Sequence, residues 1–366
     1  MTDTEYEIAH FRPEHEAQVL EVLTELWPQG DATRAELFRW KYLENPHADG
    51  PLGIVALHNG RVVGFRGYFA DRFVLDGPSD NIGVLHPGDT CVVPDHRNKG
   101  LSVAMGKLAM QYDTRRYQLF MNMTCSRNSL PGYLQLGFEP LTRRARLLRH
   151  GQNPLRWLLQ AWLERPRAQI ARPLSESRIE FGRHGHILVT DSPLPAEMAA
   201  IIEARGHATA VLRLHQDQGF FEWRYRNPAR KYAFYFLSEG AAVRGYVVVG
   251  VSANNHGGEI LDYGGRDDRA AGEILRFIDR SRHFMALSVF SYGVDEDLRK
   301  VLTDLRFAAV HSWPTLLQRG SVEELTFPIL IRPTARSFAE SDFIIDGVDL
   351  RKIESWQLKP ICSDAA

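Results

Sequence analysis

Short apolar runs broken by turn residues recur in two similar series along the chain, and each series follows an aromatic, helix-like segment. Residues 37–46 read LFRWKYLENP and residues 220–228 read FFEWRYRNP, so Trp40, Tyr42, Asn45 and Pro46 match Trp223, Tyr225, Asn227 and Pro228. An Asn-Pro pair stops a helix, because proline cannot continue one and the residue before it avoids helical angles. Two strand-length runs come next in each copy. Residues 53–69, GIVALHNGRVVGFRGYF, carry an Asn-Gly hairpin signal, and residues 232–250, YAFYFLSEGAAVRGYVVVG, repeat the layout. Self-similarity on this scale predicts an internal duplication. The matched aromatics either pack a helix end against a sheet or, in the first copy, help to shape a binding pocket.

Residues 92–112, VVPDHRNKGLSVAMGKLAMQY, place an Arg-x-x-Gly turn between a short apolar stretch and a helix expected over Val103 to Tyr112. Gly100 admits backbone angles that other residues avoid, so the N–H groups of Arg97, Asn98, Lys99, Gly100, Leu101 and Ser102 can converge on one point. The helix adds the positive end of its dipole, which makes the turn an anion cradle that suits a pyrophosphate. The bland alternative is a solvated strand-to-helix turn. Further along, QLFMNMTC at 118–125 suits a buried strand. SRNSLPGYLQLGFEP at 126–140 then puts Tyr133 on a short helix that Gly137 ends before Phe138 enters the core.

The Arg97-x-x-Gly100-x-Ser102 turn, followed by Asn128 and by Tyr133-x-x-x-Gly137-Phe138, resembles the acyl-coenzyme A binding motifs of the GCN5-related N-acetyltransferase (GNAT) superfamily. Ser102 stands where the family has glycine or alanine, and it still donates its backbone N–H. The resemblance implies an α/β (α+β) fold of two tandem acetyltransferase-like domains, each a mixed, mostly antiparallel sheet flanked by helices. Residues 1–150 are then expected to form the catalytic, acyl-CoA-binding domain, 151–175 a linker, 176–326 a degenerate copy and 327–366 a C-terminal extension. That extension holds strand-like FPILIRP and FIIDGVDL, expected to wrap back onto a domain. The second copy reads as degenerate because residues 257–280 lack Arg-x-x-Gly and set Asp267 and Asp268 where phosphates would approach. LRKVLTDLRF at 298–307 likewise keeps Phe307 without the glycine or the tyrosine.

Composition narrows the picture without naming a reaction. A chain of 366 residues with 44% hydrophobic content can bury two ordinary cores. Its 44 basic and 45 acidic residues nearly cancel, so no nucleic-acid partner is implied globally. Cys91, Cys125 and Cys362 have no C-x-x-C spacing, which argues against a disulfide framework or structural zinc and for a reducing cytoplasm. The acidic, polar start MTDTEYEIAHF is unlike a signal peptide, and no apolar run has the length of a membrane span, so a soluble chain is expected. Charge is uneven only locally. Residues 143–172 carry eight arginines against Glu164 alone, while Leu155, Leu158, Leu159, Trp162 and Leu163 share one helix face. This stretch is either a connecting strut with wet arginines or, over 154–165, a peripheral contact with anionic lipid.

Moving an acyl group from a thioester to an amine requires taking a proton from the amine, stabilising an oxyanion and protonating the leaving thiolate. No metal is needed. Under the resemblance, Asp89 in GDTCVVP is the expected base or amine-orienting carboxylate, with Asp71 and His86 in reserve, and Tyr133 is the general acid. Acetyl-CoA or another acyl-CoA, the co-substrate, would lie against Cys91, Val92, Val93, Arg97 to Val103 and Asn128, with the amides of Val92 and Val93 as donors. Cys91 also invites an acyl-cysteine scheme. Trp40, Arg66, His86, Asn122 and Arg127 are the expected acceptor-binding residues. The acceptor is a small-molecule amine, first an amino sugar, perhaps nucleotide-linked, ahead of amino acids, polyamines, aminoglycosides and natural products. A homodimer is compatible with this reading. Its rivals are a non-catalytic acyl-CoA-binding protein and an aminoacyl-tRNA-dependent transferase.

Overall fold

The computed structural model describes residues 6–75, 81–112, 114–151, 177–181, 185–205, 211–252, 257–290, 296–309 and 326–363. The first half runs β1 (Glu7–His10), α1 (Glu16–Leu23), α2 (Asp31–Phe38), β2 (Gly53–His58), β3 (Arg61–Val74), β4 (Ile82–Val92), α3 (Leu101–Ala109), β5 (Leu119–Asn122), α4 (Leu130–Gln135) and β6 (Glu139–Gly151). The second half runs β7 (Ser177–Phe181), β8 (Gly185–Thr190), α5 (Pro195–Ala204), β9 (Leu212–Leu214), α6 (Gln218–Arg224), β10 (Lys231–Glu239), β11 (Ala242–Val251) and β12 (Gly257–Gly265). It continues through α7 (Ala270–Ser281), β13 (Ala286–Phe290), α8 (Glu296–Asp304), β14 (Ala308–Ala309) and β15 (Thr326–Pro333).

Both halves build an antiparallel meander and then one parallel step. Strands β1 to β4 pair in chain order, and β5 adds parallel to β4. Asn59 and Gly60, at φ 53° and 74°, make the tight turn between β2 and β3 that Asn-Gly favours. In the second half β8, β10, β11 and β12 repeat the meander, and β13 adds parallel to β12. Strand β15 inserts between β5 and β6, antiparallel to both, so the chain's last strand of this length completes the first half's sheet.

Strand β6 belongs to both halves. Its N-terminal part pairs with β15, and its last residues pair with β13 and β14. Residues 143–151, the first part of the arginine-rich stretch, are therefore extended strand, with ladder partners from β15, β13 and β14. The helix expected over 155–163, and with it the possible lipid contact of 154–165, lies outside the described residues. No helix among the described residues is long and apolar enough to cross a membrane.

The duplicated aromatics meet where the halves join. The Trp40 and Trp223 rings stack at 5.4 Å, and each indole Nε1 donates to the other residue's backbone oxygen at 2.9 Å. This reciprocal pair is what two copies related by a pseudo-twofold axis would make. Arg224 lies across it, 5.5 Å from the Trp40 ring, and donates to the carbonyls of Ile361 and Ser363. Removing either tryptophan side chain would cost about 3–5 kcal/mol.

Candidate active site

A β-bulge sets the geometry of the site. In the β3–β4 ladder Phe65 faces Cys91 and Gly67 faces Gly88, so Asp89 and Thr90 together oppose Arg66 alone. The extra residue puts Asp89 in the left-handed region at φ 46° and re-aims its side chain. Lys41 Nζ donates to Asp89 Oδ2 at 2.6 Å, the Tyr42 hydroxyl donates to the same oxygen, and Trp27 Nε1 donates to Oδ1 at 3.2 Å. Lys41 and Tyr42 both come from a wide π-helical turn, Arg39–Leu43, that extends α2. Gly67 makes room for this arrangement, since a Cβ there would lie 2.1 Å from the Tyr42 hydroxyl oxygen.

The anion cradle expected after β4 is formed at the start of α3. Asn98 and Gly100 take φ 61° and 72°, and Gly100 has open space where a side chain would be. The backbone N–H groups of Asn98, Lys99, Gly100, Leu101 and Ser102 have no partner among the described residues, whereas those of Val103 and Ala104 both donate to Gly100 O. Five successive unpaired donors at a helix start are the arrangement that takes a phosphate. The Arg97 guanidinium turns back instead, donating to Val92 O at 2.8 Å and to Glu25 at 2.9 Å. Charge near the loop therefore comes from Lys99, whose ammonium lies 5.3 Å from the Tyr6 ring, and from the helix dipole.

Strands β4 and β5 diverge beside this cradle. They pair only at Val84–Leu119 and Leu85–Phe120, so the rest of that β4 edge has no ladder partner among the described residues. Val93 N donates to Val63 O across the other edge at 3.0 Å, which takes Val93 out of the expected donor pair. Strand groups alternate in direction, so the Val92 N–H points to the open edge, as does its carbonyl, which Arg97 binds. Tyr133, on α4, stands over the opening and donates to Pro87 O at 3.4 Å. Cys91 is buried, its thiol donates to Val22 O, and burial pushes its pKa up to about 11 despite nearby Arg97. Such a thiol holds almost no thiolate near neutral pH.

The opening leads into a cavity of about 1050 Å³ walled by both halves. Trp27, Trp40, Lys41, Asp89, Asn122 and Tyr133 line the first-half side, and Arg149, Asn227, Arg230, Glu259 and Ser288 line the other. Of the sequence-derived acceptor residues, Trp40 and Asn122 reach the cavity, although Asn122 Oδ1 also accepts from Thr124 N. Arg66 lies behind its wall, buried, with its guanidinium 4.9 Å from the Tyr133 ring and donating to Ser102 O. His86 is buried against Asp71, 3.2 Å from that carboxylate, so neither reserve base reaches the cavity. Arg127 and Asn128 are exposed on the turn before α4 and do not line it either. Lys41, Trp27, Arg149 and Arg230 were not picked out by sequence reasoning. Only Lys41 carried a signal, as the neighbour of the repeated Trp and Tyr.

The second half keeps the scaffold and closes the cradle. Asp262, beside a bulge in β12, accepts from Tyr225, Tyr246, Gln216 and Lys359, much as Asp89 accepts from Tyr42 and Lys41. Burial, reinforced by the Asp262 charge, pushes the Tyr225 and Tyr246 phenols well above their usual 10. At the start of α7, Asp267 Oδ1 accepts from the N–H groups of Arg269 and Ala270, and Arg244 pairs with Oδ2. Partial burial pushes the Asp267 carboxyl up, but the hydrogen bonds from Arg244 and Arg269 outweigh it and hold it below the usual range. The turn supplies its own anion.

No family model matches the sequence, and no curated protein matches it. Solved structures do match in shape. A GCN5-related N-acetyltransferase from Anabaena variabilis aligns over 90% of this chain and 73% of its own, with TM-score 0.58 and 12% identity. A tandem GNAT protein from the clavulanic acid biosynthesis pathway aligns over 90% of this chain and 99% of its own, with TM-score 0.53 and 13% identity. Eis1 from Mycobacterium abscessus aligns over 90% and 74%, with TM-score 0.53 and 16% identity. With its duplicated meander, splayed parallel strands and helix-start cradle, this chain has the fold of the tandem GCN5-related N-acetyltransferases.

Proposed function

We propose that the chain is an acyl-CoA-dependent N-acyltransferase that moves an acetyl group to a primary amine by direct attack within a ternary complex. The observation that carries this reading is the run of five unpaired N–H groups at the start of α3, beside an open strand edge that leads past Tyr133 into a polar cavity. Bound acyl-CoA supplies the thioester and the leaving thiolate. Asn98 to Ser102 hold the pyrophosphate, and the Val92 N–H is the donor toward the acyl carbonyl or the pantetheine arm.

Asp89 receives the amine. Its Oδ2 is taken by Lys41 and Tyr42, so Oδ1, shared with the Trp27 indole, is the oxygen with spare acceptor capacity. It holds the ammonium and takes up a proton from it, directly or through a water. The Tyr133 hydroxyl gives a proton to the thiolate. The buried Cys91 takes no part, which favours direct attack over an acyl-cysteine.

An amino sugar, free or nucleotide-linked, is the first-choice acceptor, because hydroxyl and amide groups, among them those of Asn122, Thr124, Ser126, Asn227 and Ser288, line the cavity. Other small amines come next. The free, buried cysteines support a cytoplasmic setting, and we assign the chain no nucleic-acid partner. Isothermal titration with acetyl-CoA tests the reading. The native chain should bind near one equivalent, and Gly100→Glu should abolish binding while the chain stays folded, destabilised only by the roughly 1–2 kcal/mol that a side chain at this left-handed position costs. A folded native chain that binds neither acetyl-CoA nor longer acyl-CoAs would overturn it. Binding without turnover over a broad amine panel would leave a non-catalytic acyl-CoA-binding protein.

A further inference from the structure

Five charged side chains line the cavity among the described residues, and four are already matched: Lys41 with Asp89 at 2.6 Å, and Arg230 with Glu259. The fifth is Arg149 on β6. It is partly buried and has no hydrogen-bond or ion-pair partner among the described residues. A guanidinium drawn partly out of water with no counter-ion keeps part of its desolvation cost. That cost shows in the direction of its titration, since burial pushes the guanidinium below the usual arginine range. The β6–β13 register sets Ser288 directly opposite Arg149, so the two side chains share a face, and both line the cavity. The Ser288 hydroxyl meets Gly258 O at 3.3 Å, a long bond that it can exchange for a ligand oxygen.

We infer that the acceptor carries an oxyanion, either a carboxylate or a phosphate ester, which Arg149 and Ser288 bind on the second-half wall while the amine meets Asp89 on the first. The inference rests on the acyltransferase reading of the cavity and narrows it. A planar guanidinium matches either anion with paired hydrogen bonds. The leftover positive charge disfavours polyamines and aminoglycosides, and favours phosphorylated or nucleotide-linked amino sugars and amino acids. The degenerate half then reads the substrate that the first half acylates.

The test uses the full chain saturated with CoA, so that the α3 cradle is filled, titrated calorimetrically with inorganic phosphate and with acetate in low-chloride buffer. Arg149→Gln should weaken anion binding by about tenfold or more, and Arg149→Lys should keep part of it. CoA affinity, which reports an intact fold, should not change. In the turnover arm, the kcat/KM ratio of glucosamine 6-phosphate to glucosamine, or of 6-aminohexanoate to hexylamine, should favour the charged member in the native chain. That ratio should collapse toward one in Arg149→Gln, mainly through KM. Which pair responds separates phosphate ester from carboxylate. Equal anion binding by native and Arg149→Gln protein, or none by a native chain that binds CoA, would overturn the inference. If CoA does not bind, the acyltransferase reading fails by itself, and phosphate titration of the cradle-blocked Gly100→Glu variant still reads Arg149.

Discussion

Gly67→Ala is the sharpest probe of how Asp89 is held. A Cβ at residue 67 would sit 2.1 Å from the Tyr42 hydroxyl oxygen, 2.3 Å from Cζ and 2.6 Å from Cε1. The ring must move, and with it goes the hydrogen bond from Tyr42 to Asp89. Overpacking of this kind costs about 1–3 kcal/mol. Losing a hydrogen bond to a charged group adds about 1.5–3 kcal/mol. Alanine stiffens the unfolded chain and returns about 0.4–1 kcal/mol. The steric and hydrogen-bond terms win, so a net loss of about 2–5 kcal/mol is expected from these three terms.

A double-mutant cycle separates this mechanism from general damage. In the native background Tyr42→Phe should cost about 1.5–3 kcal/mol, the value of the hydrogen bond. In the Gly67→Ala background it should cost nearly nothing, since the bond is already gone. Urea unfolding followed by tryptophan fluorescence measures both, and acetyl-CoA titration checks that the α3 cradle survives. Additivity of the two substitutions within about 0.5 kcal/mol would refute the argument that Gly67 exists to admit the Tyr42 hydroxyl.

Tyr133→Phe should lower kcat by about 10²-fold or more while the acetyl-CoA Kd stays within about twofold, read by thiol release and calorimetry; an unchanged kcat removes Tyr133 as the acid. Cys91→Ala should leave acyl transfer intact, and mass spectrometry of protein incubated with acetyl-CoA should find no acetyl thioester, because a thiol raised to about 11 is almost fully protonated at neutral pH. Burial pushes the Asp71 carboxyl up, but the imidazoles of His47 and His86, 3.6 and 3.2 Å from its oxygens, outweigh it and hold it below the usual carboxylate range. A depressed carboxylate stabilises the fold above about pH 4 and loses that contribution as pH falls through the folded value. Stability of Asp71→Asn should therefore fall less steeply below about pH 4 than that of the native chain, by circular dichroism, and an equal or steeper fall would contradict the pairing.

Local signals were legible in the sequence wherever neighbours along the chain determine the structure. The Asn59-Gly60 hairpin, the helix start after Gly100 and the Gly137 helix stop, at φ 82°, all depend on a few adjacent residues. The Trp-x-Tyr repeat announced the duplication for the same reason. The facing of strand residues was not legible. Inserting one residue reverses every side chain beyond it, and the bulge at Asp89 and Thr90 does this near the C-terminal end of β4. Arg66 and His86 therefore looked equivalent to cavity residues, because strands buried on both faces show no alternation that would tell one face from the other. Arg149 was hidden differently: its partner strands come from residues 286–290 and 308–309, and a local reading of an arginine-rich stretch cannot see them.

The two halves differ less in scaffold than in what the backbone is allowed to do at one turn. Each has an aspartate in or beside a bulge, with a tyrosine hydroxyl and a lysine ammonium on that aspartate. In the first, the N–H groups of Asn98 to Ser102 have no partner among the described residues. In the second, Asp267 satisfies the N–H groups of Arg269 and Ala270, exchanging ligand capacity for a stable cap worth about 1 kcal/mol. On the proposed function, a half whose helix start is capped in this way has no second acyl donor to accommodate. Its sheet can then face the first half across the cavity with Arg149, Arg230 and Glu259. On the proposed function, the cavity between the halves is then one site, with the acyl-transfer groups on one wall and Arg149 on the other.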